Sequence, residues 1–141
     1  MKTNKLHIVL DTNVLIVSLP SHLKHYWVFE RLVAGDYDLF VTNEMLAEYQ
    51  EQVAKRYGLS YTEAQLDLLL LLPNVKLVTP FYRWLLIRED PDDNKFVDCA
   101  VAANADYIVT NDKHFRVLQD IDFPPVRAIT LQEFEMLLNP P

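Results

Sequence analysis

The chain has 141 residues, 50% of them apolar and 23% charged, and carries a net charge of −7. A length of this order suits a single domain, spanning residues 1–141, that buries about two thirds of its unfolded surface. The negative balance excludes broad, nonspecific attraction of the whole surface to nucleic acid, and one cysteine, Cys99, excludes an internal disulfide.

The longest apolar stretch, Leu68 to Leu72, is far below the roughly 20 residues of a membrane span. Lys2 and Lys5 precede an apolar run, but Asp11 cuts that run too short for a signal peptide. A reducing, cytoplasmic setting is expected, with Cys99 a small buried hydrophobe.

Residues 6–10 carry Ile and Val and read as a buried central strand. Asp11-Thr12-Asn13 follows as the loop at its carboxyl end, and a short helix is expected within Val14–Leu19, broken by Pro20. Ser21 caps an expected helix over 22–34, and Gly35 stops it. Asp36-Tyr37-Asp38 reads as a turn before a second strand, Leu39–Val41. Thr42 or Asn43 caps a helix over 43–57, with Gly58 as its end.

Ser60 or Thr62 opens the next helix, closed before Pro73, and Val75–Val78 is a third strand. Residues 80–87, with Phe81, Tyr82 and Trp84, read either as a strand or as an irregular piece over the core. Asp90 to Asn94 is a capping loop before a helix over 93–104. Then come a strand at Tyr107–Val109, a short helix over 112–118 and a last strand at Val126–Ile129. Thr130 with Glu133 three residues on marks a capping box for the final helix. This alternation implies a parallel sheet with helices on both faces.

Two apolar strands end alike, in Asp11-Thr12-Asn13 and in Thr110-Asn111-Asp112. In a parallel α/β sheet the functional crevice lies beyond the carboxyl ends of the strands, near a topological switch point. Asp11 and Asp112 fall on that edge, and Glu48 and Asp93 reach it from early helix turns. Several carboxylates in one cleft raise each other's pKa, a conflict that a divalent cation removes. All-oxygen ligation suits Mg²⁺ or Mn²⁺ rather than zinc. Such a site orients water and stabilises charge on a phosphodiester.

Taken singly, each acid has an ordinary reading. Asp11 and Asp112 are plausible loop or N-cap residues, Asp90, Asp92 and Asp93 a capped turn, and Glu44 a partner for its helix dipole. The matched strand ends favour a site. The two glycines exclude a Gly-rich phosphate loop, and His7, His22, His25 and His114 form no recognisable ligand pair.

Four segments resemble the PIN-domain family, specifically the toxin components of toxin–antitoxin systems. They are Ile8 to Leu15, Glu44 to Tyr49, Asp90 to Phe96 and Ala105 to Lys113, in the family's order. The resemblance implies a three-layer α/β/α sandwich with a central parallel sheet of four to five strands. It implies a metal-dependent endoribonuclease using Mg²⁺ or Mn²⁺, with Asp11, Glu48, Asp93 and Asp112 as the four acids and Asn13 and Thr110 supporting them. Glu44, Asp90 and Asp98 are alternates for the acids, Asp98 lying about one turn further into the Asp93 helix. Asn111 departs from the small residue, such as Gly, that the family more often carries.

An RNA substrate needs positive charge beside the acids, and Lys95, Lys113, His114 and Arg116 are nearest in sequence, with Lys24 and His25 as candidates across the cleft. Their ordinary reading is a solvated face. Phe81, Tyr82 and Trp84 are candidates for a homodimer interface. An antitoxin protein is the partner the resemblance implies. Two other functions compete: a metal-dependent phosphohydrolase acting on small phosphate esters, and an inactive domain that binds RNA or protein.

Overall fold

A computed structural model describes residues 5–141, so that Lys2 lies outside the described residues. Strand β1 (Leu6–Leu10) lies at the centre of a five-stranded sheet. Strand β2 (Tyr37–Val41) pairs with one side of it and β4 (Tyr107–Val109) with the other. Strand β3 (Val75–Leu77) continues past β2, and β5 (Ala128–Ile129) past β4. All four pairings are parallel, in the order β3-β2-β1-β4-β5. Flanking helices make this a three-layer α/β/α sandwich.

That order dictates where a site forms. The chain runs from β1 outward through β2 to β3, then returns to the other side of β1 for β4 and β5. The reversal puts the switch point between β1 and β4. Ile8, Val9 and Leu10 are fully or almost fully buried, as are Ile108 and Val109 beside them. A strand covered on both faces reads as a continuous apolar run, so the first polar residue after each marks the edge.

Helix α1 (Thr12–Ser18) starts immediately beyond β1, two residues before the expected Val14. The helix expected over 22–34 is shorter: α2 spans Trp27–Val33, with Tyr26, not Ser21, before it and no side-chain cap. Turns fill the gap, with Leu23 N–H donating to the Pro20 carbonyl and Tyr26 N–H to that of Leu23, each at 3.1 Å. The expected turn at Asp36-Tyr37-Asp38 is corrected at its last two residues. Tyr37 and Asp38 belong to β2, paired with Leu6 and His7, and the buried Tyr37 hydroxyl donates to the Val28 carbonyl at 2.7 Å. Pairing and burial outweigh the turn preference of the flanking aspartates.

Helix α3 (Asn43–Tyr57) is capped by Thr42, whose hydroxyl accepts from Met45 N–H at 3.0 Å, and it ends at Gly58. Gly58 has φ of 91°, a conformation natural to glycine, and α4 (Leu59–Leu71) starts directly after it, before Ser60 or Thr62. Residues 78–90 form no helix or strand. Of the two readings for residues 80–87, the irregular one holds: Ile87 is buried, while Phe81 is 97% exposed.

A 3-10 turn (Pro91–Asp93), capped by the Asp90 side chain, leads into α5 (Asn94–Ala103). The short helix expected over 112–118 is a 3-10 segment, Lys113–Asp120. The last strand is two residues shorter than expected. Helix α6 (Leu131–Leu138) carries the complete capping box of Thr130 and Glu133.

Candidate functional site

The carboxyl ends of β1 and β4 are joined by one threonine. Leu10 is in register with Val109, so the next residues, Asp11 and Thr110, leave the sheet side by side. Thr110 Oγ1 donates to Asp11 Oδ2 at 2.7 Å and accepts from Asp112 N–H at 3.0 Å. A buried hydroxyl thus couples two acids that are 101 residues apart in the sequence. The Asp11 N–H donates to the Val109 carbonyl at 3.1 Å, fixing the same corner from the backbone. From below, the buried Tyr49 hydroxyl donates to the Leu10 carbonyl at 2.6 Å.

Asp11 is 5% exposed. Burial raises its carboxyl above the ordinary carboxylate range, the Thr110 hydroxyl and the Asn13 N–H oppose the rise, and the charges of Asp112 and Glu48 add to it. Asn13 therefore meets Asp11 through its backbone, and its side chain lines the cleft. That cleft, of about 370 Å³, is bounded by Asp11, Asn13, Val17, His25, Asn111 and Asp112. His25 lines the same cleft as Asp11 and Asp112.

Asp93 comes from the 3-10 turn before α5 and is buried. Its Oδ2 has no hydrogen-bond partner. Burial pushes its pKa up to about 7, and the charges of Asp90, Asp112 and Asp11 contribute. Glu48 approaches from α3. The Thr12 hydroxyl donates to its Oε2, and Lys95 Nζ donates to its Oε1. The Lys95 side chain is only 10% exposed. Lys95, a candidate for substrate binding, pairs with Glu48, because α5 and α3 bring the two charges together.

Of the alternates, Asp90 stands beside Asp93 and Asp112, whereas Glu44 and Asp98 do not join them. Glu44 and Asp98 line a neighbouring pocket of about 330 Å³ with Arg83. Asp98 Oδ1 accepts from Trp84 N–H at 3.0 Å. Burial raises its pKa, Trp84 N–H and Arg83 lower it, and Glu44 raises it. One turn along α5 is enough to turn a carboxylate to a different cleft.

Three residues make contacts that the sequence did not reveal. His114 stands among the acids: its Nδ1 is 3.3 Å from Asp112 Oδ1, 3.8 Å from Asp93 Oδ2 and 4.0 Å from Asp90 Oδ2. The local signal was the Asp112-x-His114 spacing, in which Asp112 Oδ1 accepts from His114 N–H at 2.9 Å. Asn94 is a buried clamp, its amide accepting from Ile87 N–H and donating to the Ile87 carbonyl, both at 2.9 Å, so the 85–90 segment is fixed against α5. Asn111 Oδ1 accepts from Leu131 N–H at 3.2 Å, tying the site loop to the start of α6. The Asn111 departure therefore has a structural use.

The donor set is suited to a hard divalent cation. Carboxylate oxygens dominate, and a buried carboxylate oxygen among other acids without a partner is the kind of group a cation satisfies. The fold and the site together define a parallel α/β sandwich with an acidic cleft at its switch point. A PIN-domain family model matches residues 7–114, and the chain belongs to the PIN-domain family. The fold is similar to a chain in the crystal structure of VapBC2 from Rickettsia felis bound to a DNA fragment from their promoter. That match has 22% identity and a TM-score of 0.62, and covers 89% of this chain and 98% of the other. Comparison with curated proteins finds no match. Among the described residues, no helix is long and apolar enough to cross a membrane.

Proposed function

We propose that this PIN domain, residues 1–141, is a divalent-metal-dependent endoribonuclease and the toxin of a toxin–antitoxin pair, acting in the cytoplasm with a separate antitoxin protein as its partner. The observation that carries the reading is the Thr110 bridge, which joins the two acidic strand ends beside the unpartnered Asp93 carboxylate. Asp11, Glu48, Asp93 and Asp112 are the residues that would hold Mg²⁺ or Mn²⁺. When bound, the cation favours hydroxide and neutralises charge developing on the phosphodiester.

The chain's own groups do the positioning. Thr110 and the Asn13 N–H fix the Asp11 carboxylate, and Lys95 with Thr12 holds Glu48. Beside the acids opens a groove of about 590 Å³, lined in part by Trp84, Arg88, Lys113 and His114. Arg88 and Lys113 there supply positive charge for phosphates, and Trp84, packed edge-to-face with Tyr82 and Phe123, adds an aromatic surface, a combination suited to single-stranded RNA. Lys113 is the leading substrate contact. The small-ester phosphohydrolase lacks a comparable observation.

The test is purified protein incubated with single-stranded RNA and with a small aryl phosphate, each with Mn²⁺ and with chelator. Cleavage of RNA within the strand, dependent on Mn²⁺, is expected. Hydrolysis of the aryl ester without RNA cleavage would replace this reading with the phosphohydrolase.

A further inference from the structure

Four donor groups cluster beside the acid cleft. Asp90, Asp93, Asp112 and His114 each offer one ligand atom, and these atoms all lie within 4.8 Å of one another. An ion held about 2.1 Å from each donor spans about 4.2 Å between opposite ligands, so only a small adjustment closes the set. Asp11 and Glu48 are not in it. Glu48 is held in place by Lys95 and Thr12, and Asp11 by Thr110, beside this cluster.

Two buried atoms of the cluster lack hydrogen-bond partners: Asp93 Oδ2 and His114 Nδ1. They face each other at 3.8 Å, too far for a hydrogen bond. Asp93 is 7% exposed, so its unpartnered oxygen is withdrawn from water as well as from protein donors. Two inward-aimed donors, from segments 21 residues apart and held in place by the Asn94 clamp and the Asp112 turn, are poorly satisfied by each other. A cation between them satisfies both.

We infer that Asp90, Asp93, Asp112 and His114 form a mixed nitrogen–oxygen site for a divalent transition metal, Mn²⁺ above Mg²⁺, with His114 Nδ1 as a direct ligand. The site extends the nuclease reading by adding an imidazole position next to the all-carboxylate one, and shares Asp93 and Asp112 with it. Imidazole suits softer divalent ions, whereas Mg²⁺ takes oxygen. His114 Nε2 lies 3.5 Å from Glu89 Oε2, a carboxylate placed to orient the ring through its other nitrogen.

The experiment is pulsed EPR on the full chain loaded with Mn²⁺, reading ¹⁴N coupling from a directly bound imidazole. Wild type shows the coupling, His114→Gln and His114→Ala lose it, and His25→Gln keeps it. In parallel calorimetry, His114→Gln weakens Mn²⁺ binding ~10-fold or more and weakens Mg²⁺ binding less. Bound Mn²⁺ without nitrogen coupling, coupling that survives both His114 variants, or no Mn²⁺ binding at all overturns the inference. RNA cleavage is assayed separately. Cleavage without nitrogen coupling defeats this inference and leaves the nuclease, and coupling that depends on His114 without cleavage does the reverse.

Discussion

The two ends of the same sheet treat carboxylates in opposite ways. At the amino end, each acid meets a donor or a base. Asp38 lies 3.6 Å from His7 Nε2 and 3.8 Å from Lys76 Nζ, and Asp106 accepts from His7 N–H at 2.7 Å. At the carboxyl end, Thr110 and backbone N–H groups meet Asp11, Asp90 and Asp112, yet the acids crowd one another, their charges raise Asp93, and one buried Asp93 oxygen has no partner. A cavity of about 890 Å³ lies at the amino end, against about 370 Å³ for the cleft at the acids, so volume does not mark the site. Unbalanced charge marks it: acids crowded without matching positive charge call for a cation.

Substitution at the two ends breaks the comparison most strongly. Asp112→Asn removes an acid from the crowded end, and several kcal/mol of charge stabilisation corresponds to a fall of about 10³-fold in Mn²⁺-dependent RNA cleavage. In a single-strand RNA gel assay, Asp38→Asn leaves the cleavage rate within a factor of about 3, because Asp38 pairs with His7 and Lys76 at the opposite end of the sheet from the acids. Equal losses in both would erase the distinction.

Thr110→Val separates the acids without removing one. It deletes the bond to Asp11 and leaves Asp112 N–H without its acceptor. Cleavage should fall about 10–100-fold, the effect of losing a group that orients a ligand. Chemical denaturation should show a loss of about 1–3 kcal/mol.

Acid crowding also has a pH signature. Asp93 titrates near 7 in the fold against an ordinary 3.8. Between those values the unfolded chain has released the proton and the folded chain retains it. Stability from this group is therefore present below about pH 4 and lost as pH rises toward about 7. In chelator, the melting temperature of wild type falls across that window, and Asp93→Asn flattens the slope. A slope unchanged by Asp93→Asn contradicts the crowding.

The smallest effect is Tyr49→Phe, which deletes a buried bond to the Leu10 carbonyl but no acid. It should cost about 1 kcal/mol in denaturant while leaving Mn²⁺ affinity near wild type.

What the sequence disclosed follows the range of the interactions. The strand β1, the Thr42 and Thr130 caps and the Gly58 end rest on neighbours within a few residues, and each was readable. So was the matching of Asp11 with Asp112, because a parallel sheet fixes which strand ends share an edge. Three features were not readable. Tyr37 and Asp38 join β2 because β1 pairs with them, against their local turn signal. Lys95 meets Glu48 across 47 residues. His114 meets Asp90 and Asp93 from a distant segment, while Asn94 ties the irregular 85–90 segment to α5. No period or spacing encodes that meeting.

The most direct test of the account is a calorimetric titration of Mn²⁺ into wild type, Asp112→Asn and Asp38→Asn. The account predicts that Asp38→Asn binds as wild type does and that Asp112→Asn loses the binding heat. Mn²⁺ binding that survives Asp112→Asn, or that is lost in Asp38→Asn, would contradict it.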